Sequence, residues 1–344
     1  MREEVRTGAN QKKPRLGLIL SSRFALWSLV AVTGVSLASL AVHNGFLTFS
    51  LVLANIYMGL ALAWDFSSGL TGYINFGPQF FFGLGAFATG YLYYAKGVPV
   101  AATLPVDLAV GAAAGFLFSL PTLQFRGPFF TLLSLVLPLI AELFVVNFWT
   151  VLRMPTIGYY GIPQLGSSYD VLLLSTLVID AASLLIFYRI YISHFGLVMR
   201  GIRDDEDAVS AQGINTFRYK VVAFTLASGL MGLMGGAYAS LTSFAGVDAF
   251  GLNFLLYPML IAVLGGFGSI AGSVAMSYVA TLLSQYLNLF VGSLTLIVFS
   301  ALALVMVLFL RGGLFGYILG ALGGKGSRPT RATPVLEEGG DEGQ

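Results

Sequence analysis

The chain has 344 residues, 57% hydrophobic and 10% charged, with 42 glycines, no cysteine and a formal net charge of +2. That much apolar surface excludes a soluble fold and leaves a polytopic membrane protein, since one spanning helix takes about 20 apolar residues. The lack of cysteine excludes disulfides, thiolate metal sites and thiol nucleophiles.

Residues 1 to 23 form a basic tail carrying Arg2, Arg6, Lys12, Lys13, Arg15 and Arg23. The apolar run that follows has no small-residue cleavage site and reads as a retained first span rather than a signal peptide. Apolar windows predict crossings near 24 to 42, 46 to 64, 78 to 95, 99 to 121, 128 to 150, 171 to 191, 221 to 244, 252 to 266, 273 to 291 and 293 to 310. The runs are continuous rather than alternating, so they are helices and not barrel strands. The fold class is therefore all-α, a polytopic bundle of about ten transmembrane helices spanning 24 to 310, with glycine-interrupted segments. Ten crossings leave only Lys96 and Arg153 on one side and every other basic residue on the opposite one. The positive-inside rule then makes both termini and the loop at 193 to 220 cytoplasmic.

Glycines interrupt the helical pattern twice. Leu70, Gly72, Tyr73, Asn75 and Phe76 have the spacing of Leu264, Gly266, Phe267, Ser269 and Ile270. Transporters build pathways from such breaks in corresponding halves, where unwound backbone faces a solute. Candidate lining groups are Gly72, Tyr73, Asn75, Gln79, Gly266 and Ser269, with Phe80, Phe81 and Phe82 facing an aliphatic part. The competing reading is close packing of helices through small residues, as at Gly83, Gly85, Ala86 and Gly90 or at Gly229, Gly232, Gly235 and Gly236.

Residues 200 to 220 are the one strongly charged stretch in the apolar middle of the chain. Asp204 is placed to cap a short helix over 204 to 213, with Asp205, Glu206 and Asp207 in its first turn and Gly213 as its stop. Such a helix is marginal alone and needs packing to persist. Ala208, Val209 and Ala211 offer a small apolar face suited to a partner's groove. Arg200, Arg203, Arg218 and Lys220 are expected to hold the loop against lipid headgroups. A merely solvated loop has the same composition.

The string DAVSAQG at 207 to 213 resembles the cytoplasmic loop of binding-protein-dependent ABC importer permeases, with Asp207, Ala208 and Gly213 in the places of its glutamate, first alanine and glycine. IRDDEDAVSAQGINTFRYKVVAFTLASGLMGLMGGAYA at 202 to 239 is similar to the matching region of branched-chain amino acid permeases of the LivM type. SGLTGYINFGPQFFFGLGAFATGYL at 68 to 92, RGPFFTLLSLVL at 126 to 137, TIGYYGIP at 156 to 163, VLGGFGSIAGSV at 263 to 274 and LRGGLFG at 310 to 316 follow in order.

The resemblance implies a membrane subunit working with a second permease subunit, two ATPase subunits and an external solute-binding protein. The ATPases dock on Arg203, Asp204, Glu206, Asp207, Ala208 and Gly213. No cofactor is bound directly, and ATP acts through the partners. Consistent with this, the chain has no GxxxxGK[ST] phosphate loop, Gly324 and Lys325 being followed by Gly326. Family members more often show serine-leucine-glycine-histidine where this chain has Asn75, Phe76, Gly77, Pro78 and Gln79. That departure widens the expected solutes to other amino acids, urea and short amides.

A second reading is a proton- or ion-coupled secondary transporter. Asp107, Glu142 and Asp180 fall inside predicted spans, where a carboxylate costs at least ~2.5 kcal/mol and often marks an ion path. An enzyme is disfavoured, because His43 and His194 lie at opposite membrane faces and no HExxH occurs. Trp27, Trp64 and Trp149 fit an interfacial belt. The basic residues follow membrane topology, so lipid and not nucleic acid is the expected neighbour. From 311 the chain is a cytoplasmic tail, largely disordered by composition, with Glu337, Glu338, Asp341 and Glu342 among glycines.

Overall fold

The computed structural model describes residues 33–36, 44–125, 127–149, 158–295, 297–298 and 300–301. The basic N-tail, most of the expected spans at 24 to 42 and 293 to 310, Trp27, His43, Arg126, Arg153 and the C-tail lie outside the described residues.

The long helices are α1 (Gly45–Trp64), α2 (Pro78–Lys96), α3 (Val100–Thr122), α4 (Pro128–Phe148), α5 (Tyr169–Ile192), α8 (Thr216–Thr242), α9 (Asn253–Gly265) and α10 (Ile270–Val291). Two short ones, α6 (His194–Asp204) and α7 (Glu206–Ala211), lie between α5 and α8. Seven helical segments among the described residues are long and apolar enough to cross a membrane, and the chain is a multi-pass membrane protein with an all-α bundle. The expected crossing at 78 to 95 corresponds to α2, an aromatic- and glycine-rich helix outside those seven.

Local chemistry accounts for the boundaries. Asn44 caps α1 by accepting from Phe46 N and Leu47 N, and Pro78 and Pro128 occupy first-turn positions where no N–H is needed. Helix α8 starts at Thr216, five residues before the expected 221, because Asn215 caps it through Arg218 N and because Lys220 is buried and paired. A small antiparallel ribbon, β1 (Gly158–Tyr160) with β2 (Phe244–Gly246), closes one end of the bundle.

Helices α1 and α8 form the enclosed centre. Around α1 pack α5, α8, α9 and α10, while α2 and α3 pack on α8. The outer helices turn Leu117, Phe129, Leu132, Leu143, Val178 and Phe290 outward. Buried polar groups, including Asn55, Asp65, Thr89, Asp107 and Asp180, sit inside. That inversion suits a lipid solvent. Trp64 is corrected from an interfacial belt residue to a core one: it is 1% exposed, and its Nε1 donates to the Asn75 carbonyl at 2.7 Å.

The glycine-rich crossings anticipated for α2 and α8 are present. A Cβ on Gly85 would overlap the carbonyl oxygen of Gly232, and one on Gly235 would overlap that of Phe82. Backbones in contact need residues without side chains.

Candidate functional site

The charged segment folds as two helices. Helix α6 buries Val198, Met199 and Ile202, and α7 contributes Val209 to a small cluster with Val198 and Ile202. The expected cap at Asp204 is corrected by one residue. Asp204 ends α6 with helical backbone, whereas Asp205 is extended (φ −159°) and its Oδ1 accepts from Ala208 N at 3.0 Å. Glu206 and Asp207 follow in the first turn of α7, and the chain leaves through Gly213 at φ +81°. Val209 turns inward, so the exposed face of α7 carries Asp207, Ala208, Ser210 and Ala211.

Lys220 does not reach for headgroups. Its side chain is 3% exposed, and Nζ donates to Glu206 Oε1 at 2.8 Å, to the Tyr73 hydroxyl at 2.9 Å and to the Leu123 carbonyl at 3.3 Å. The ammonium also sits 4.2 Å from the Tyr73 ring centroid. Tyr73 in turn donates to Glu206 Oε2 at 2.6 Å, and Thr216 donates to Oε1 at 2.9 Å. Burial alone pushes the Glu206 carboxyl up, but the hydrogen bonds from Lys220, Tyr73 and Thr216 and the Lys220 charge outweigh it and hold the group below the usual glutamate value.

Because the folded value lies below the unfolded one, this stabilisation is complete above the ordinary value of 4.5 and lost as pH falls through the lowered one. Thermal unfolding in detergent is expected to show a loss of stability on acidification that Glu206→Gln removes. Equal acid slopes in the two proteins would count against the cluster.

Arg203, another of the four cations expected at headgroups, instead joins both glycine breaks. Its Nη1 donates to the Gly69 carbonyl at 2.7 Å and to that of Phe267 at 3.5 Å, and the guanidinium lies 4.9 Å from the Phe267 ring centroid. Arg200 lies over the Tyr191 ring at 4.4 Å. Beneath Arg203, α1 widens into a π-helical turn, Asp65–Gly69. Asp65 Oδ1 there accepts from Gly268 N at 2.7 Å, tying one break to the other. Gly72 (φ +78°) and Gly268 (φ +81°) have backbone that L side chains rarely adopt, and both lie against Arg203.

The first break satisfies its backbone with side chains, as irregular chain inside a membrane protein must. Asn75 N donates to Ser68 Oγ at 3.1 Å and Phe76 N to Ser134 Oγ at 2.9 Å, while Thr131 Oγ1 donates to the Ile74 carbonyl at 3.0 Å.

The six candidate lining residues thus sit at two breaks that meet under α6. Asn75 Oδ1 accepts from Gly77 N, and Ser269 Oγ caps α10 through Gly272 N. Asn75 Nδ2 and Gln79 Oε1 are buried without a hydrogen-bond partner among the described residues. A cleft of about 620 Å³ lined by Tyr73, Ile74, Thr131, Leu132 and Glu206 opens beside them. Phe81 and Phe82 are fully buried, Phe82 stacked on Phe254 at 4.2 Å, so they pack the core.

Asp65 went unremarked in the sequence, although a carboxylate directly after a 20-residue apolar helix was a visible signal. Glu142 and Asp180 are not brought together by any hydrogen bond among the described residues. Asp180 is fully buried with neither carboxylate oxygen hydrogen-bonded there, whereas Asp107 Oδ2 accepts from Thr89 at 2.6 Å. Among the described residues no group of three or more His, Asp or Glu could hold a metal ion.

The family described as branched-chain amino acid transport system, permease component, matches residues 46–323. The chain belongs to this permease family. Similar proteins include the high-affinity branched-chain amino acid transport system permease protein LivM of Escherichia coli K12, 26% identical over 246 residues (63% of this chain, 58% of that protein). LivM of Salmonella typhimurium LT2 is 27% identical over 243 residues (62% and 57%). The permease therefore spans less than three-fifths of the length of the curated relatives it matches. No solved structure matches the chain. The relatives are named as transport permeases and not as enzymes, and the match takes in both glycine breaks, α6 and α7.

Proposed function

We propose that this permease is the membrane subunit of an ATP-binding-cassette importer for branched-chain or related amino acids, with urea and short amides as the wider solute range. Its partners are a second permease subunit, two ATPase subunits and an external solute-binding protein. Ten crossings with both termini cytoplasmic put α6 and α7 on the ATPase side. The observation that carries the reading is the wiring of this region. The exposed face of α7 turns outward from the bundle, while Glu206 at its root is locked to Tyr73 in one break and Arg203 just before it bridges both. A push on α7 therefore reaches the two places where membrane helices are interrupted. Gly72, Tyr73, Asn75, Gln79, Gly266 and Ser269 act there as the inner gate of the path, opened and closed by alternating access.

The test is reconstitution in vesicles with the subunits encoded beside it. Vanadate-sensitive, ATP-dependent uptake is expected. Uptake that ignores ATP and collapses with a protonophore would favour the second reading, in which Asp180, buried without a hydrogen-bond partner among the described residues, carries a proton with Glu142. Asp207→Lys and Gly213→Leu are expected to leave the protein folded while lowering uptake per ATP roughly tenfold, the scale of a ~1.4 kcal/mol change. No atom lies within 4 Å of a Cβ at Gly213, so its substitution acts through the exit of the loop and not through the core. Normal uptake per ATP in both variants would remove the docking role.

A further inference from the structure

Helix α2 begins inside the membrane and not at its surface. The Trp64 indole donates to the Asn75 carbonyl at 2.7 Å. That contact sets the start of α2 level with a residue well inside the Gly45–Gly69 span, about 7 Å from its end at 1.5 Å per residue. Asn75, Gly77, Pro78 and Gln79 are all buried there. No side chain caps α2, and its first turn carries no acid. Pro78 has no N–H, the Phe80 N–H is folded back on the Gly77 carbonyl at 3.1 Å, and the first turn leaves the Gln79 N–H without a partner inside the helix. The positive end of a 19-residue helix is thus buried with no acidic residue in its first turn.

Two buried amides flank this helix end, and each is half satisfied. Asn75 Oδ1 accepts from Gly77 N at 2.8 Å, and Gln79 Nε2 donates to the Phe76 carbonyl at 3.3 Å. Those bonds fix which way each amide faces and hold both side chains against the same pair of residues, Phe76 and Gly77. What remains is one donor, Asn75 Nδ2, and one acceptor, Gln79 Oε1, neither with a partner among the described residues. Both residues are 1% exposed, and unpaired polar groups at such depth are costly. Helix α4 lies over them. A Cβ on Gly77 would stand 2.4 Å from the Ser134 carbonyl oxygen, Phe76 N donates to Ser134 Oγ, and Thr131 Oγ1 donates to the Ile74 carbonyl. The cleft of about 620 Å³ opens next to these contacts, with Tyr73 and Ile74 on one wall and Pro128, Thr131 and Leu132 on the other.

We infer that the buried start of α2 is where the permease holds the head group of a zwitterionic amino acid. The carboxylate accepts from Asn75 Nδ2 and the Gln79 N–H, and the ammonium donates to Gln79 Oε1. Helix N-termini at membrane depth favour anionic groups, and neutral dipoles without a fixed charge release the solute again. The site is shut in this structure, and parting α4 from the first break joins it to the cleft. An ordered water can satisfy one donor and one acceptor while the site is shut. The helix end adds a positive field that a water does not need and a carboxylate does. The inference supplies the solute contacts of the inner gate and rests on amino-acid transport by this chain, but not on ATP as its energy source.

The protein has no cysteine, so single cysteines can be read without background. Ile74→Cys, at a position 40% exposed in the cleft, is labelled in inside-out vesicles with a membrane-impermeant thiol reagent, and Ser210→Cys on the outer face of α7 is the control. Leucine is expected to slow labelling at 74 and not at 210. Leucinamide, which lacks the carboxylate, and 4-methylpentanoate, which lacks the ammonium, are each expected to need at least tenfold higher concentration, the scale of one hydrogen bond to a charged group. Asn75→Asp keeps the oxygen that accepts from Gly77 N and replaces the donor with a carboxylate oxygen. It is expected to raise the half-protecting leucine concentration at least tenfold while leaving the rate without solute unchanged, which reports an intact fold. Labelling at 74 indifferent to leucine means water alone at the site and overturns the inference. Equal protection by leucinamide or by urea overturns the carboxylate assignment, as does full protection in an Asn75→Asp protein with an unchanged basal rate. Protection by leucine where uptake ignores ATP upholds the site and overturns only the energy source, whereas ATP-driven leucine uptake without protection overturns the site and leaves the importer standing.

Discussion

Lys220→Met is expected to destabilise the permease by about 3 kcal/mol, because removing one member of a buried ion pair leaves the other uncompensated at ~3–5 kcal/mol. The lower end applies here. Glu206 keeps hydrogen bonds from Tyr73 and Thr216, and its side chain is 14% exposed. The functional loss is expected to be larger than the stability loss. Lys220 anchors α8 to the root of α7 and to Tyr73 together, so methionine leaves the Tyr73–Glu206 hydrogen bond in place but loosens both groups from α8, with α7 still capped by Asp205. Uptake per ATP hydrolysed should fall in vesicles even at temperatures where the variant stays folded. A double variant, Lys220→Met with Glu206→Gln, separates the two roles. It is expected to recover most of the thermal stability, since no unpaired charge remains, and none of the coupling. Coupled transport in the double variant would show that the ion pair serves stability alone.

How far the sequence foretold this arrangement depends on the range of the interaction. Expected runs at 46 to 64, 99 to 121 and 171 to 191 agree closely with Gly45–Trp64, Val100–Thr122 and Tyr169–Ile192, because length and apolarity are local properties. Gly72, Gly266 and Gly213 were recognisable as interruptions for the same reason. Asp205 displaced Asp204 as the cap because α6 runs on to 204, and nothing in the local string separates two adjacent aspartates. Lys220 and Arg203 were misplaced for a deeper reason. Their partners are Tyr73, 147 residues away, and Gly69, 134 residues away, and a cation near a predicted span end looks the same whether it faces lipid headgroups or a buried carboxylate.

Gly232→Val is expected to prevent assembly of the bundle rather than weaken a function. A Cβ at Gly232 would stand 2.5 Å from the Asp107 carbonyl oxygen and 3.0 Å from Gly111 Cα, both backbone atoms of α3 that cannot swing aside. On the other side, the Gly232 carbonyl already occupies the place where a Cβ on Gly85 of α2 would be. Helix α8 is thus held between two backbones at one residue, and separating either pair also disturbs the Thr89 hydrogen bond to Asp107. Overpacking a well-packed core typically costs about 1–3 kcal/mol, and a clash with two backbones at once places this variant at or beyond ~3 kcal/mol. Gly45→Ala is the matched control, because no atom lies within 4 Å of its Cβ. Yield of monodisperse protein in detergent and its unfolding temperature give the comparison. A Gly232→Val protein as stable as Gly45→Ala would mean that α2, α3 and α8 are not in backbone contact, and with them would go the rigid frame against which α7 is proposed to push.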